Sequence, residues 1–328
     1  GNHVQARMSF LTYKPLICEG DIVIVCRGLD NLDPIKVESG KVIQVGRGAI
    51  QHSKLIGLEY GSKVLTSNGG GWATFLHPTP ELWTASLPHR TQIIYATDIS
   101  MVTMQLGLRP GSEVCECGTG SGSLSHSLAR TVAPNGHLYT FEFHQQRADI
   151  ARKEFADHGL SDVVTLECRD VCKDGFGLKD RVDAVFLDVP NPWEAVRWAY
   201  EAIKASGGRF CSFSPCIEQV QRTAETLREA SFVDIEVVEC LQRPYSIKPC
   251  DSDVPALGFH LPEVLGDQAS RPGKRKRGEQ GTHTRPYHKG RLEKPIWHEL
   301  KLRCAQPCKA IRGHTGFLLF ATLNPKCV

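Results

Sequence analysis

Hydrophobic positions along the 328-residue chain fall into two regimes. Over residues 8–76 they form short β-branched runs at 21–27 (Asp-Ile-Val-Ile-Val-Cys-Arg), 40–45, 62–65 and 72–76, separated by Gly, Asn and Asp. Short runs broken by turn formers predict a small barrel-like β domain over 8–80. His77-Pro78-Thr79-Pro80 marks its end. Beyond it, strands alternate with stretches of helical period. Helices are expected at 95–106, 123–132, 145–158, 193–205 and 217–230. Strands are expected at 114–117, 137–143, 163–168, 184–187, 209–213 and 233–240. This β-α-β-α order predicts an α/β, Rossmann-like domain over 81–328, with a parallel sheet covered by helices on both faces. Residues 246–312, rich in Pro, Gly and charge, break the rhythm and are expected to be a largely unstructured insertion. The apolar run 316–323 is expected to rejoin the sheet as its last strand, which makes the insertion a loop and not a tail.

Composition adds three points. The net charge of +3 is uneven: residues 271–312 hold 13 Lys/Arg against 3 Asp/Glu, and the remainder holds 26 against 33. The Lys274-Arg275-Lys276-Arg277 run suits either contacts to an RNA backbone or a nuclear import signal. Thirteen cysteines without a doubled C-x-x-C pattern point to free thiols in a reducing compartment, cytosol or nucleus, and to no metal. No apolar run approaches the ~20 residues that span a bilayer, so no membrane partner is expected. Residues 1–7 read as a cloning scar ahead of Met8.

Candidate chemistry centres on Val114-Cys-Glu-Cys-Gly-Thr-Gly-Ser-Gly122, where a strand runs into Gly118, Gly120 and Gly122 before a helix. Glycines there let the backbone approach a ligand, and the helix start offers free N–H groups. Such a turn serves NAD, FAD and S-adenosyl-L-methionine alike. Three carboxylates at successive strand ends narrow it. Glu142, 20 residues after Gly122, can accept from ribose hydroxyls. Asp170-Val171 can meet an adenine edge, and Asp188 closes the fourth strand. The Gly-x-Gly-x-x-Gly spacing of dinucleotide folds is absent, since Ser123 and Leu124 follow Gly122. S-adenosylmethionine, which needs no pyrophosphate cradle, is favoured.

The stretches Leu76-His-Pro-Thr-Pro-Glu-Leu-Trp83, Pro88-His-Arg-Thr-Gln-Ile93, Glu116–Gly122, Glu142-Phe-His-Gln-Gln-Arg147 and Phe210-Cys-Ser-Phe-Ser-Pro-Cys-Ile-Glu-Gln-Val220 carry a resemblance. With them, from Met8 to about Arg243 and again at 313–316, the chain resembles catalytic subunits of the eukaryotic tRNA (adenine-58, N1) methyltransferase. The resemblance implies a class I methyltransferase fold and methylation of N1 of adenine 58 in the tRNA T-loop. It also implies a related non-catalytic partner in a two-plus-two heterotetramer; the location expected, from the free thiols and the basic run, is the nucleus. The family's cofactor positions fall on Ile94, Ser121, Gly122, Ser123, Glu142, Arg147, Asp170, Val171 and Asp188, the last also at the target base. Nothing from the family transfers to 246–312.

Adenine N1 carries a lone pair and no proton at neutral pH, so the reaction needs alignment more than a base. A carboxylate such as Asp188 near the exocyclic amine stabilises the cation that forms. The target must be turned out of any pairing, and Tyr95, with Gln92 close by, is a candidate wall for it. His77, His89 and His314 are expected to be structural. Two alternatives stand: a non-catalytic tRNA-binding subunit with a decayed cofactor site, and a S-adenosylmethionine enzyme acting on protein or on T-loop-like messenger RNA.

Overall fold

The structure is a computed structural model that describes residues 9–28, 31–88, 90–255, 297–308 and 316–326. Met8, His89, Lys274–Arg277 and His314 lie outside the described residues. The N-terminal part carries β1 (Ile22–Cys26), β2 (Leu32–Lys36), β3 (Val42–Val45), β4 (Gly48–Gln51), a 3-10 turn (His52–Lys54), β5 (Lys63–Leu65) and β6 (Trp72–Leu76). An antiparallel sheet runs β2-β1-β6-β5, and β3 pairs with β4 as a hairpin. Alternate residues Val23, Val25, Ala73 and Phe75 point inward onto Ile17, Ile50 and Leu55, the period of two that a strand imposes. Both faces of β1 are covered, because Ile22 joins a different core with Phe10 and Trp83.

After Leu76 come α1 (Pro80–Ser86), α2 (Ala96–Gln105), β7 (Glu113–Cys117), α3 (Ser123–Val132), β8 (His137–Glu142), α4 (Gln145–Asp157), β9 (Val164–Cys168) and α5 (Val171–Asp174). The chain continues through β10 (Ala184–Leu187), α6 (Pro192–Ala202), β11 (Gly208–Ser214), α7 (Ile217–Glu229) and β12 (Phe232–Val238). Then follow β13 (Tyr245–Pro255), β14 (Trp297–Pro307) and β15 (Phe317–Leu323). A seven-stranded sheet runs β12-β15-β11-β10-β7-β8-β9. Strands β11, β10, β7, β8 and β9 are parallel, while β15 lies antiparallel between β11 and β12. The returning strand expected at 316–323 is therefore internal to the sheet. Strand β10 is buried throughout, as parallel strands covered on both faces are. Val114, Phe186, Cys211 and Phe320 enter one core, and their neighbours Cys115, Val185, Phe210 and Leu319 enter the other.

Two short helices were not expected from the sequence. In α1 the Thr79 hydroxyl accepts from the Leu82 N–H at 3.2 Å and Pro80 occupies the first turn, where its missing N–H costs nothing. Helix α5 is a single turn after Asp170. The segment expected to be unstructured has paired ends. Strands β13 and β14 form an antiparallel ladder from Tyr245↔Pro307 to Pro255↔Trp297, in a unit of its own spanning 243–312. The alternation of Leu300 and Leu302 with Lys301 and Arg303 is a strand pattern that the local charge hides.

Behind the glycine turn sit two buried histidines. The Gly122 carbonyl can only accept, so His126 Nδ1–H donates to it at 2.6 Å. His126 Nε2 must then accept from His158 Nδ1–H at 2.8 Å. Phe10 stacks on His158 at 4.6 Å and Trp83 meets it edge-on at 4.6 Å. Burial holds His126 down to about 4 and His158 to about 2. Both sit below their unfolded value of about 6.5, so their stabilisation is complete above that pH and declines as pH falls towards 4. Glu116 and Asp188 are raised by desolvation and act with the opposite sign, so the effect is read as a difference. Thermal midpoints of the His126→Leu/His158→Leu double variant are expected to gain several degrees relative to wild type between pH 6.5 and 4.5. A constant difference across that range would contradict the neutral pair.

Candidate functional site

The sheet reverses its order at β7 and β10: the chain moves from β7 outward to β8 and β9, then returns to β10 on the other side. A crevice forms at the carboxyl ends of the strands at such a switch point. The glycine turn lies there. Gly118, Gly120 and Gly122 have φ of 97°, 54° and 75°, a region that L side chains rarely enter. A Cβ on Gly118 would lie 2.3 Å from the Asp188 carbonyl oxygen, and one on Gly120 would lie 2.8 Å from Thr91 Oγ1. The turn is thus wedged between the β10 loop and segment 90–94.

That segment is fastened in three ways. Ser121 Oγ accepts from the backbone N–H of Arg90 at 3.1 Å and of Thr91 at 3.3 Å. Ser123 Oγ donates to the Ile94 carbonyl at 3.0 Å and meets Thr84 Oγ1 at 2.8 Å. The Arg90 guanidinium grips Glu154 of α4 with two bonds, 2.6 and 2.9 Å. Arg90→Ala is expected to free the segment and weaken cofactor binding roughly tenfold, because a bidentate pair fixes orientation as well as distance. Arg90→Lys should recover only part of this, since an ammonium cannot span both oxygens. Titration calorimetry with S-adenosylmethionine checks both, and an unchanged Arg90→Ala affinity would refute the clamp.

A cavity of about 470 Å³ opens beside the turn. Gln92, Ile94, Gly118, Gly120, Ser121, Ser123, Glu142, Arg147, Asp170, Val171 and Asp188 all border it. Gly122 and Tyr95 do not. Gly122 is the N-cap of α3, with its Cβ position 3.4 Å from the Phe155 ring. Tyr95 is the N-cap residue of α2 and is 45 % exposed. His77 is half-buried, with Nδ1 3.0 Å from the Pro78 carbonyl, between the rings of Tyr13 and Tyr60.

Four carboxylates face this space. Glu142 Oε2 accepts from the Gly120 N–H at 2.9 Å and Oε1 from the His144 N–H at 3.0 Å, with Arg147 Nε at 3.5 Å. Asp170 has Lys173 at 3.3 Å. Glu116 takes the hydroxyls of Ser125 and Thr140 on Oε2, at 2.6 and 2.7 Å, and burial raises it to about 7. Asp188 is raised to about 6 by burial alone, and no donor among the described residues reaches its carboxylate. Glu116, like Arg169 and Cys172 on the cavity wall, was missed as a site residue. An acid inside the apolar run Val-Cys-Glu-Cys was the available signal for Glu116; nothing local marks the other two.

An acidic cavity against tightly turned glycines suits a compact cationic ligand with ribose hydroxyls and an adenine edge. S-adenosylmethionine, a sulfonium, fits that donor set; a pyrophosphate would meet like charge.

Comparisons with known proteins follow the same direction. The family described as tRNA methyltransferase complex GCD14 subunit matches residues 71–323. The chain is 40% identical to the tRNA (adenine(58)-N(1))-methyltransferase catalytic subunit of Dictyostelium discoideum, over 96% of this chain and 99% of that one. It is 38% identical to the corresponding subunit of Candida albicans, over 97% and 100%. Among solved structures, a SAM-dependent O-methyltransferase of Thermotoga maritima superposes with a TM-score of 0.71 at 28% identity, covering 96% of each chain. The tRNA (m1A58) methyltransferase of Aquifex aeolicus shares the fold, with a TM-score of 0.64 at 21% identity, covering 94% of this chain and 98% of that one.

Proposed function

This chain belongs to the tRNA methyltransferase complex GCD14 subunit family, and from that premise we propose that it transfers a methyl group from S-adenosylmethionine to N1 of adenine 58 in the T-loop of tRNA. The observation that carries the reading is Asp188, a carboxylate on the wall of the cofactor cavity that no donor among the described residues engages. A decayed, non-catalytic subunit would have no reason to keep it beside an intact glycine turn.

When bound, S-adenosylmethionine supplies a methyl group already activated by a positive sulfur, and adenine N1, which carries no proton at neutral pH, needs no base before attack. Glu142, held by the Gly120 and His144 N–H groups, is placed to accept from the ribose hydroxyls. Asp170 and Val171 border the same cavity, where they would meet the adenine edge, and segment 90–94 with the turn would enclose the remainder. Transfer would form the bond from N1 to the methyl carbon as the carbon–sulfur bond breaks and the neutral thioether leaves, and positive charge would spread towards the exocyclic nitrogen of the target base. Asp188, ionised, binds that cation better than the neutral base, which lowers the barrier. The test is transfer of labelled methyl to unmodified tRNA by the chain with its partner subunit, followed by mapping. N1-methyladenosine at position 58 is expected; label at another base or none would overturn the reading.

The family description speaks of a complex. We propose that the partner is a related, non-catalytic subunit and that two of each assemble. Native mass spectrometry of the co-purified complex decides it: a one-plus-one mass would refute this stoichiometry. The 13 Lys/Arg of 271–312 support tRNA binding and, through Lys274–Arg277, nuclear import. Replacing those four residues with alanine is expected to leave a fluorescent fusion in the cytoplasm. A fusion still concentrated in the nucleus would reject that address. No helix among the described residues is long and apolar enough to cross a membrane.

A further inference from the structure

The loop after β10 carries Asp188 and then runs Val189-Pro190-Asn191-Pro192 into α6. Two of its residues are prolines and offer no N–H, so the loop has few backbone donors with which to hold itself. Its inner end is fixed, since the Asp188 N–H donates to the Cys117 carbonyl at 2.8 Å and Gly118 packs beneath it. Its outer end is met by α7. Gln219, in the first turn of α7, uses both ends of its amide. Oε1 accepts from the Cys216 N–H at 3.2 Å, which caps the helix. Nε2 donates to the Pro190 carbonyl at 2.8 Å. One turn further on, the Arg222 guanidinium lies 4.2 Å from the Trp193 ring centre, at the start of α6. Gln219 and Arg222 share a helix face at i, i+3 and grip the loop on either side of Pro192.

We propose that Gln219 is a positioning residue for methyl transfer: its amide fixes the Pro190 carbonyl and through it sets where the Asp188 carboxylate stands in the cavity. The proposal rests on the role given to Asp188 above. It also gives a role to the far end of Phe210–Val220, a stretch that does not itself border the cavity.

Gln219→Glu separates this role from helix capping. The carboxylate keeps an oxygen for the Cys216 N–H but sets a second oxygen against the Pro190 carbonyl, where a donor stood. A mere cap residue would be satisfied by it. Turnover of the Gln219→Glu complex on tRNA is expected to fall about tenfold, with S-adenosylmethionine affinity within threefold of wild type and the thermal midpoint little changed. Gln219→Ala, which loses both bonds, should lose turnover to a similar degree and stability as well. A second measurement does not depend on tRNA: a carbon-13 NMR titration of the Asp188 carboxyl, which burial raises to about 6 in wild type. In Gln219→Ala, which frees the loop without adding a charge, the carboxyl should become more exposed to water and titrate nearer the ordinary aspartate range. Wild-type turnover in Gln219→Glu, or an Asp188 titration left unmoved in Gln219→Ala, overturns the proposal. A wild-type complex inactive on tRNA overturns the functional reading instead, and the NMR comparison then decides the positioning role by itself.

Discussion

Asp188→Ala is expected to cut turnover on tRNA by about two to three orders of magnitude, the usual cost of removing one group aimed at developing charge. Affinity for S-adenosylmethionine should stay within about tenfold, because Glu142, Asp170 and the glycine turn still border the cavity. Single-turnover kinetics and calorimetry measure the two separately. Near-normal turnover would remove Asp188 from the mechanism. Its protonation gives a sharper test. The carboxylate must be ionised to stabilise a cation, and burial raises it to about 6. Turnover should therefore rise with pH through an apparent value near 6. Asp188→Asn should leave a low plateau without that limb.

The same burial opposes stability. A carboxyl raised in the folded state favours its protonated form there, so its contribution becomes unfavourable as pH climbs from about 3.8 through 6. Asn has the shape of Asp without the charge. At pH 8 Asp188→Asn should melt several degrees above wild type, and the two should converge below pH 4. Function at this site is kept at the expense of stability, a common arrangement for catalytic groups.

Local pattern made most of the fold legible. Helix α3 and strand β10 run where periodicity places them, since both are short stretches with one dominant signal. Strand β2 was hidden by Pro34, which its edge position in the sheet tolerates. Helix α1 was masked by Pro78-Thr79-Pro80, read as a boundary, although Thr79 and Pro80 are what start the helix. The antiparallel placement of β15 between β11 and β12 depends on pairings far apart in sequence, which no local window carries. The site divides in the same way. Carboxylates at strand ends could be read because topology brings strand ends together. The Arg90–Glu154 clamp, the His126–His158 pair and the Gln219–Pro190 bond join residues from separate elements, and only the folded chain reveals them.

Gly118→Ala is expected to be the most damaging single methyl group in the cleft. Its φ of 97° is unfavourable for any L side chain, and its Cβ would stand 2.3 Å from the Asp188 carbonyl oxygen and 3.2 Å from the carbonyl carbon. These are backbone atoms, so no rotamer change relieves the clash; β7 and the β10 loop must part. Cofactor affinity should fall more than about a hundredfold, turnover should vanish, and the thermal midpoint should drop by several degrees. The neighbouring glycines set the scale. At Gly120 the obstacle is the Thr91 hydroxyl, 2.8 Å away, so Gly120→Ala should be milder and partly rescued by Thr91→Ala. At Gly122 the nearest atom is a Phe155 ring carbon at 3.4 Å, which leaves mainly the backbone cost of about 1–2 kcal/mol. Calorimetry on the three variants should rank them 118, 120, 122 in lost affinity. Wild-type binding by Gly118→Ala would mean that the turn and the Asp188 loop are not packed as one unit, and the positioning of Asp188 would then need another cause.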